Sequence, residues 1–94
     1  MTKLETLKEQ ILEVGGSPET VLFQTPDYVE AFLGLSHDGR AIYSYGRMVE
    51  SLINDGMDTT EAMEFIEFNT IRALSYHLDS PIILMDGFEV KEVI

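Results

Sequence analysis

The sequence predicts an α+β domain: a small antiparallel sheet of two hairpins, with about three helices packed on one face. Three observations carry this. Apolar residues recur at three- and four-residue spacing in three stretches, the period changes to two near Val29, and two Asp-Gly pairs, Asp38-Gly39 and Asp86-Gly87, punctuate extended runs. The order helix, hairpin, two helices, hairpin suits an antiparallel sheet with its helices segregated to one side. A length of 94 residues makes one domain, 1–94, with no room for a second core.

Residues 2–14 form the first helix. Thr2 and Glu5 have capping-box spacing, so hydroxyl and carboxylate can satisfy backbone donors reciprocally. Leu4, Leu7, Ile11 and Val14 make one apolar stripe, and Gly15-Gly16 stop it, Gly15 suiting the left-handed C′ position. Over 17–27 two readings stay open: Val21-Leu22-Phe23 as a short strand, or Ser17-Pro18-Glu19 opening a turn of helix. Pro26 limits the conformation of the chain after it.

From Val29 the side chains alternate, with Val29, Ala31, Leu33 and Leu35 on one face and Glu30, Phe32, Gly34 and Ser36 on the other. A two-residue type I′ turn at Asp38-Gly39 leads into 40–45. It sets Leu35 opposite Ile42 and Gly34 opposite Tyr43, whose ring would cover the bare glycine.

The second helix, roughly 46–55, packs through Met48, Val49, Leu52 and Ile53. Gly56 suits a Schellman C′ position with Met57 over Leu52. Asp58 caps a third helix with Glu61 as its capping-box partner, and Met57 over Ala62 acts as a staple, so the two helices fold into a tight corner. In the third helix, about 59–76, Ala62, Phe65, Ile66, Asn69, Ala73 and Tyr76 share one side. Glu61, Glu64 and Glu67 take the opposite arc, interrupted by Phe68 and Ile71. After Pro81, a strand to Met85, the Asp86-Gly87 turn and an outer strand over 88–93 complete a second hairpin.

Asp and Glu number 17 against 6 Lys and Arg, a formal charge of −11. A hydrophobic content of 45% is that of a globular chain, so this is not the charge of a disordered acidic segment. Carboxylates on or between folded elements form a fixed array, which fits a protein partner with a basic surface. Direct binding to nucleic acid, or to an anionic membrane, is disfavoured unless the few basic residues cluster tightly. The absence of Cys excludes disulfides, thiol catalysis and thiolate zinc sites. The longest apolar run, 82–85, is too short for a bilayer, and the start, Met1-Thr2-Lys3-Leu4-Glu5, has no basic segment followed by an apolar one. A soluble, cytoplasmic protein is expected.

No G-x-S-x-G, P-loop, G-x-G-x-x-G or H-E-x-x-H occurs, and no serine has a His in a recognisable frame. No catalytic residue, enzymatic activity or cofactor is therefore expected. Glu64 and Glu67 lack a His at the spacing helical di-metal sites use, and neither His37 nor His77 has a second His at ligand spacing, so no metal site is expected either. Asn69, on an apolar stripe, is expected as a buried amide satisfying stray backbone groups; the alternative is a ligand contact beside Arg72 and Tyr76. Phe68 and Ile71 either pack under a loop or the first helix, or make an exposed acidic-aromatic patch for a partner.

The stretches Gly39-Arg40-Ala41-Ile42-Tyr43-Ser44-Tyr45, Met48-Val49, Asp55-Gly56-Met57-Asp58-Thr59-Thr60-Glu61-Ala62, Glu67-Phe68-Asn69-Thr70-Ile71-Arg72-Ala73-Leu74 and Pro81-Ile82-Ile83-Leu84 resemble a family of small uncharacterised proteins of bacteria and their phages or prophages. The resemblance covers about 33–84, and the Glu-Phe-Asn-Thr-Ile-Arg-Ala piece is its most specific part. Asp58 stands where Thr is usual and Ser75 where Pro is usual. The family carries no established activity, so no functional residues transfer; the resemblance implies a phage or prophage setting, hence a host bacterial cytoplasm.

The resulting expectation is a non-enzymatic, phage-type accessory protein that binds and inhibits a host defence protein, with carboxylates imitating the charge row of a nucleic acid. Its partner-binding residues would be Glu50, Asp55, Asp58, Glu61, Glu64, Glu67 and Phe68. The alternative is a small-molecule or nucleotide-binding module using Tyr43, Arg47, Asn69, Arg72 and Tyr76 between the third helix and the sheet. A homo-oligomer assembled through the edge at 88–94 is the third possibility.

Overall fold

The computed structural model describes residues 2–74 and 79–86, and over them the chain is α+β, with three helices and a three-stranded mixed sheet. Strand order is β1 (Phe32–Leu35), β2 (Ala41–Ser44), β3 (Ile82–Leu84). β1 and β2 are antiparallel, as the hairpin pattern requires. β3, however, runs parallel to β2, with Ile42 opposite Ile82 and Ser44 opposite Leu84, so the sheet is mixed rather than wholly antiparallel. Parallel neighbours need a long crossover, and the two helices between β2 and β3 supply it. The second hairpin's expected outer strand, 88–93, lies outside the described residues.

The first hairpin closes differently from expectation. Ser36 N–H donates to the Arg40 carbonyl at 2.7 Å, and Gly39 N–H donates to the Ser36 carbonyl at 2.9 Å. The loop is therefore His37-Asp38-Gly39, with Gly39 at a φ of +85°, a turn followed by a left-handed glycine instead of a two-residue type I′ turn. Leu35 consequently opposes Ala41 and Gly34 opposes Ile42, one place from the expected register. A bulge between Phe32 and Gly34 then sets Phe32, not Gly34, opposite Tyr43; the two rings meet edge to face with centroids 5.7 Å apart. Because residues Val29–Ala31 form a 3-10 turn before the strand, Phe32 packs against the core and Leu33 faces outward, the reverse of the expected alternation.

Helix α1 (Lys3–Glu13) starts where Thr2 Oγ1 accepts the Glu5 N–H at 3.1 Å; the Glu5 carboxylate meets the Thr2 hydroxyl. It ends in a Schellman motif, Gly16 N–H donating to the Ile11 carbonyl and Gly15 N–H to that of Leu12. Leu7 and Ile11 are buried, but Val14, expected on the same stripe, is 78% exposed because the chain leaves the helix there. Beyond it, 17–20 make a turn and 21–24 have no regular structure, neither strand nor helix.

Helix α2 (Tyr45–Asn54) follows β2 with no loop, since Ser44 ends the strand and caps the helix, its Oγ accepting the Arg47 N–H at 3.1 Å. Met48 and Leu52 are buried and Val49 half-buried, while Ile53 turns outward. The corner forms as the sequence predicts. Gly56 takes a φ of +109°, Met57 N–H donates to the Leu52 carbonyl at 3.1 Å, and the Asp58 carboxylate accepts the Glu61 N–H at 2.8 Å.

The third helix opens as α3 (Thr59–Phe65), widens through a π-helical turn (Ile66–Ile71) and closes as α4 (Arg72–Leu74). In the wide turn Arg72 N–H reaches back five residues to the Glu67 carbonyl. The extra residue keeps four-residue steps in line, so Ala62, Ile66 and Thr70 are buried in one row. Asn69, expected as a buried amide, is exposed, and so is Ala73. Ile71 packs against the core as a half-buried side chain.

Tyr28, Ala31, Ala41, Tyr43, Met48, Leu52, Ala62 and Ile66 make the core. Full burial of side chains such as Met48, Leu52 and Ile66 contributes roughly 1.5–3 kcal/mol each. Phe32 and Leu35 oppose Tyr43 and Ala41 and so share their sheet face. Leu7 and Ile11 of α1 border the same groove as Phe32 and Leu35, which places α1 on that face beside β1.

Candidate functional site

The corner at Gly56 aims the first turns of the third helix outward. Met57, Phe65 and Phe68 line a shallow hollow of about 320 Å³, flanked by Glu61, Glu64 and Asn69. Phe68 is 54% exposed, so it belongs to the surface patch and not to a buried contact under α1. The Arg72 guanidinium lies 4.4 Å from the Phe68 ring centroid, a cation–π contact on the ring face. Arg72 already covers a face of this ring, so what the patch offers a partner's cation is the ring's remaining exposed surface and the carboxylates beside it.

The acids here feel one another. The Glu61 N–H, then its side chain, hold the Asp58 carboxyl below its ordinary range. Hydrogen bonding to Asp58, then the charges of Asp58 and Glu64, push Glu61 above its own. Shifts of opposite sign in these neighbouring groups follow from their hydrogen bonding and mutual charge.

Glu67 is exposed on the same helix, and Glu50 and Asp55 are exposed on α2 and at its C-terminal cap. The structure thus joins Asp58, Glu61, Glu64 and Phe68 closely, with Glu67 one turn on from Glu64, while Glu50 projects from the side of α2 opposite Met48. The ion pair between described residues is Lys3–Glu30, at 2.6 Å, on a different part of the molecule.

Of the alternative ligand set, the described members take different settings. Tyr43 is fully buried, and its hydroxyl accepts the Phe23 N–H at 3.3 Å, anchoring the loop; burial pushes its phenol up to about 12. Arg47 is exposed in the first turn of α2, Arg72 lies over Phe68, and Asn69 is on the surface. Tyr76 lies outside the described residues. Asn69 does line a second cavity, of about 200 Å³, between the loop at 21–26 and the π-helical turn.

Two polar junctions escaped sequence reasoning. The Ser44 hydroxyl donates to Asp86 at 2.6 Å, and the Gly46 N–H donates to the same carboxylate at 2.9 Å. Those two bonds, the hydroxyl first, hold Asp86 below the ordinary carboxylate range. Ser44 before an apolar periodic run was a cap signal; Asp86, expected in a hairpin turn, was not foreseeable as its partner. The second junction is the buried Tyr28–Thr70 hydroxyl pair, 3.2 Å apart.

Among the described residues no cluster of His, Asp and Glu could hold a metal ion, and no helix is long and apolar enough to cross a membrane. His37 is exposed in the hairpin loop, and His77 lies outside the described residues. No protein-family model, curated protein or solved structure matches the chain.

Proposed function

We propose that this is a non-enzymatic acidic binding protein that docks the outer face of its third helix on a basic surface of another protein. The observation that carries the reading is an exposed Phe68 beside Glu61 and Glu64, on a hollow that the Asp58 cap and the Gly56 corner hold in place. Aromatic anchors within a charged rim are typical of surfaces where a few side chains dominate affinity. Carboxylates fixed by a folded helix attract a basic groove at long range and act together. In the phage or prophage setting that the sequence resemblance implies, the partner is a host defence protein whose nucleic-acid groove the carboxylate row occupies and blocks.

A pull-down from bacterial lysate at low salt, eluted with a salt gradient, identifies the partner by mass. Its binding to the intact protein should weaken steeply with salt and be displaced by duplex DNA. Combined Glu61→Lys, Glu64→Lys and Glu67→Lys replacement should lower affinity by about a hundredfold or more, and Phe68→Ala by about tenfold or more. Affinity that does not change between low and high ionic strength would sink the reading.

A further inference from the structure

We infer that the cavity between the loop at 21–26 and the π-helical turn binds a neutral single-ring heterocycle carrying a lactam edge, through the Tyr28–Thr70 hydroxyl pair and the amides of Asn69 and Gln24. Four observations point there.

The first is size. At about 200 Å³ the cavity is smaller than the several hundred Å³ of drug-sized pockets, yet larger than a roughly 150 Å³ cavity that accepts benzene. One ring with small substituents fits; a dinucleotide does not. The second is the wall: the rings of Phe23 and Tyr28, themselves edge to face at 5.5 Å, with Pro26 and Pro81, give flat apolar surface against which a ring can stack.

The third is an uncommitted donor. Tyr28 and Thr70 are nine-tenths or more buried, and their two hydroxyls bond each other. Two hydroxyls carry two hydrogens, and their mutual bond uses one. Among the described residues neither oxygen donates to any other acceptor, so the second hydrogen is available to a ligand carbonyl. Asn69 and Gln24, exposed on the same cavity, each present a carbonyl and an NH₂, the complement of a –CO–NH– edge. The fourth is charge. Among the described residues no Lys, Arg, His, Asp or Glu lines the cavity, and a chain of net charge −11 repels phosphate, which favours a free base or comparable lactam over a nucleotide.

The π-helical turn has a role in this arrangement. By widening the helix at Ile66–Ile71 it turns Thr70 inward beneath Tyr28 while leaving Asn69 at the opening, so neighbouring residues supply floor and rim.

Calorimetry and amide chemical shifts on the full chain test this, with uracil and pyridone as probes. Pyrimidine and benzene serve as rings without a lactam, and uridine monophosphate as the charged analogue. Expected is saturable binding of the lactams that moves the amides of Phe23, Asn69 and Thr70. The control compounds should bind at least about tenfold more weakly, and Asn69→Ala, which alters an exposed side chain, should weaken lactam binding by a similar factor. The inference is overturned by no saturable shift from either lactam at millimolar concentration, by equal affinity for benzene or the monophosphate, or by undiminished binding in Asn69→Ala. Asn69 borders both surfaces, but Glu61, Glu64 and Glu67 do not line the cavity, so their replacement by Lys, which removes partner capture, should leave lactam binding unchanged.

Discussion

A buried hydroxyl is tolerated only with a partner, and Thr70 meets that condition through Tyr28, forty-two positions away in sequence. Tyr28→Phe or Thr70→Val alone should each destabilise the protein by about 1–2 kcal/mol in urea denaturation, because each leaves an orphaned group. The double variant should cost clearly less than the sum. Ser44 is both cap and donor, so Ser44→Ala should cost about 1–2 kcal/mol by the same measurement. Asp86 titrates below its ordinary range in the folded state. Its contribution is therefore full at neutral pH and is lost as the pH falls through that lowered value; stability of Asp86→Asn should fall less steeply on acidification. Tyr43 has the opposite sign. With its phenol raised to about 12, its contribution is complete below the ordinary phenol range, about 10, and disappears as the pH rises through the higher value. Tyrosinate absorbance should show Tyr43 ionising late, as well as Tyr28, whose phenol burial also raises, together with alkaline unfolding.

At the level of elements, the most legible features were those closed within six residues: the Thr2 cap, the glycine stop after α1, and the Gly56–Asp58 corner. Two of the glycines that end helices differ in what they resist. At Gly56 a Cβ would meet nothing within 4 Å, so Gly56→Ala should cost about 1–2 kcal/mol from the left-handed backbone alone. At Gly16 a Cβ would collide with Ile11 Cγ2 and lie 2.8 Å from the Ile11 carbonyl oxygen, so Gly16→Ala should lower the melting temperature more. Less legible were the three-residue hairpin loop, the bulge at Phe32 and the π-helical turn. Each breaks a regular period, and a periodicity argument then misplaces side chains beyond the break, as it did for Asn69 and Ala73.

On the scale of the whole molecule, charge and stability oppose each other. A net charge of −11 repels itself, so the melting temperature should rise as salt is added. Neutralising Glu61, Glu64 and Glu67 to Gln should raise it at low salt while weakening partner capture; a lowered melting temperature would mean that these acids serve the fold instead. The candidate acids were legible because exposed positions on an amphipathic helix follow from its buried ones. The cavity was not, since its walls come from the loop at 21–26, the third helix and the start of β3.

The amino-acid order alone determined the α+β class, the helices, the Thr2 and Asp58 caps and the acidic outer arc, because each depends on groups a few residues apart and on a period. Only the tertiary structure decided the parallel pairing of β3, the Ser44–Asp86 and Tyr28–Thr70 junctions, and which face each strand residue takes. Those depend on which distant segments meet, and that is settled by packing and by the need to satisfy every buried polar group at once.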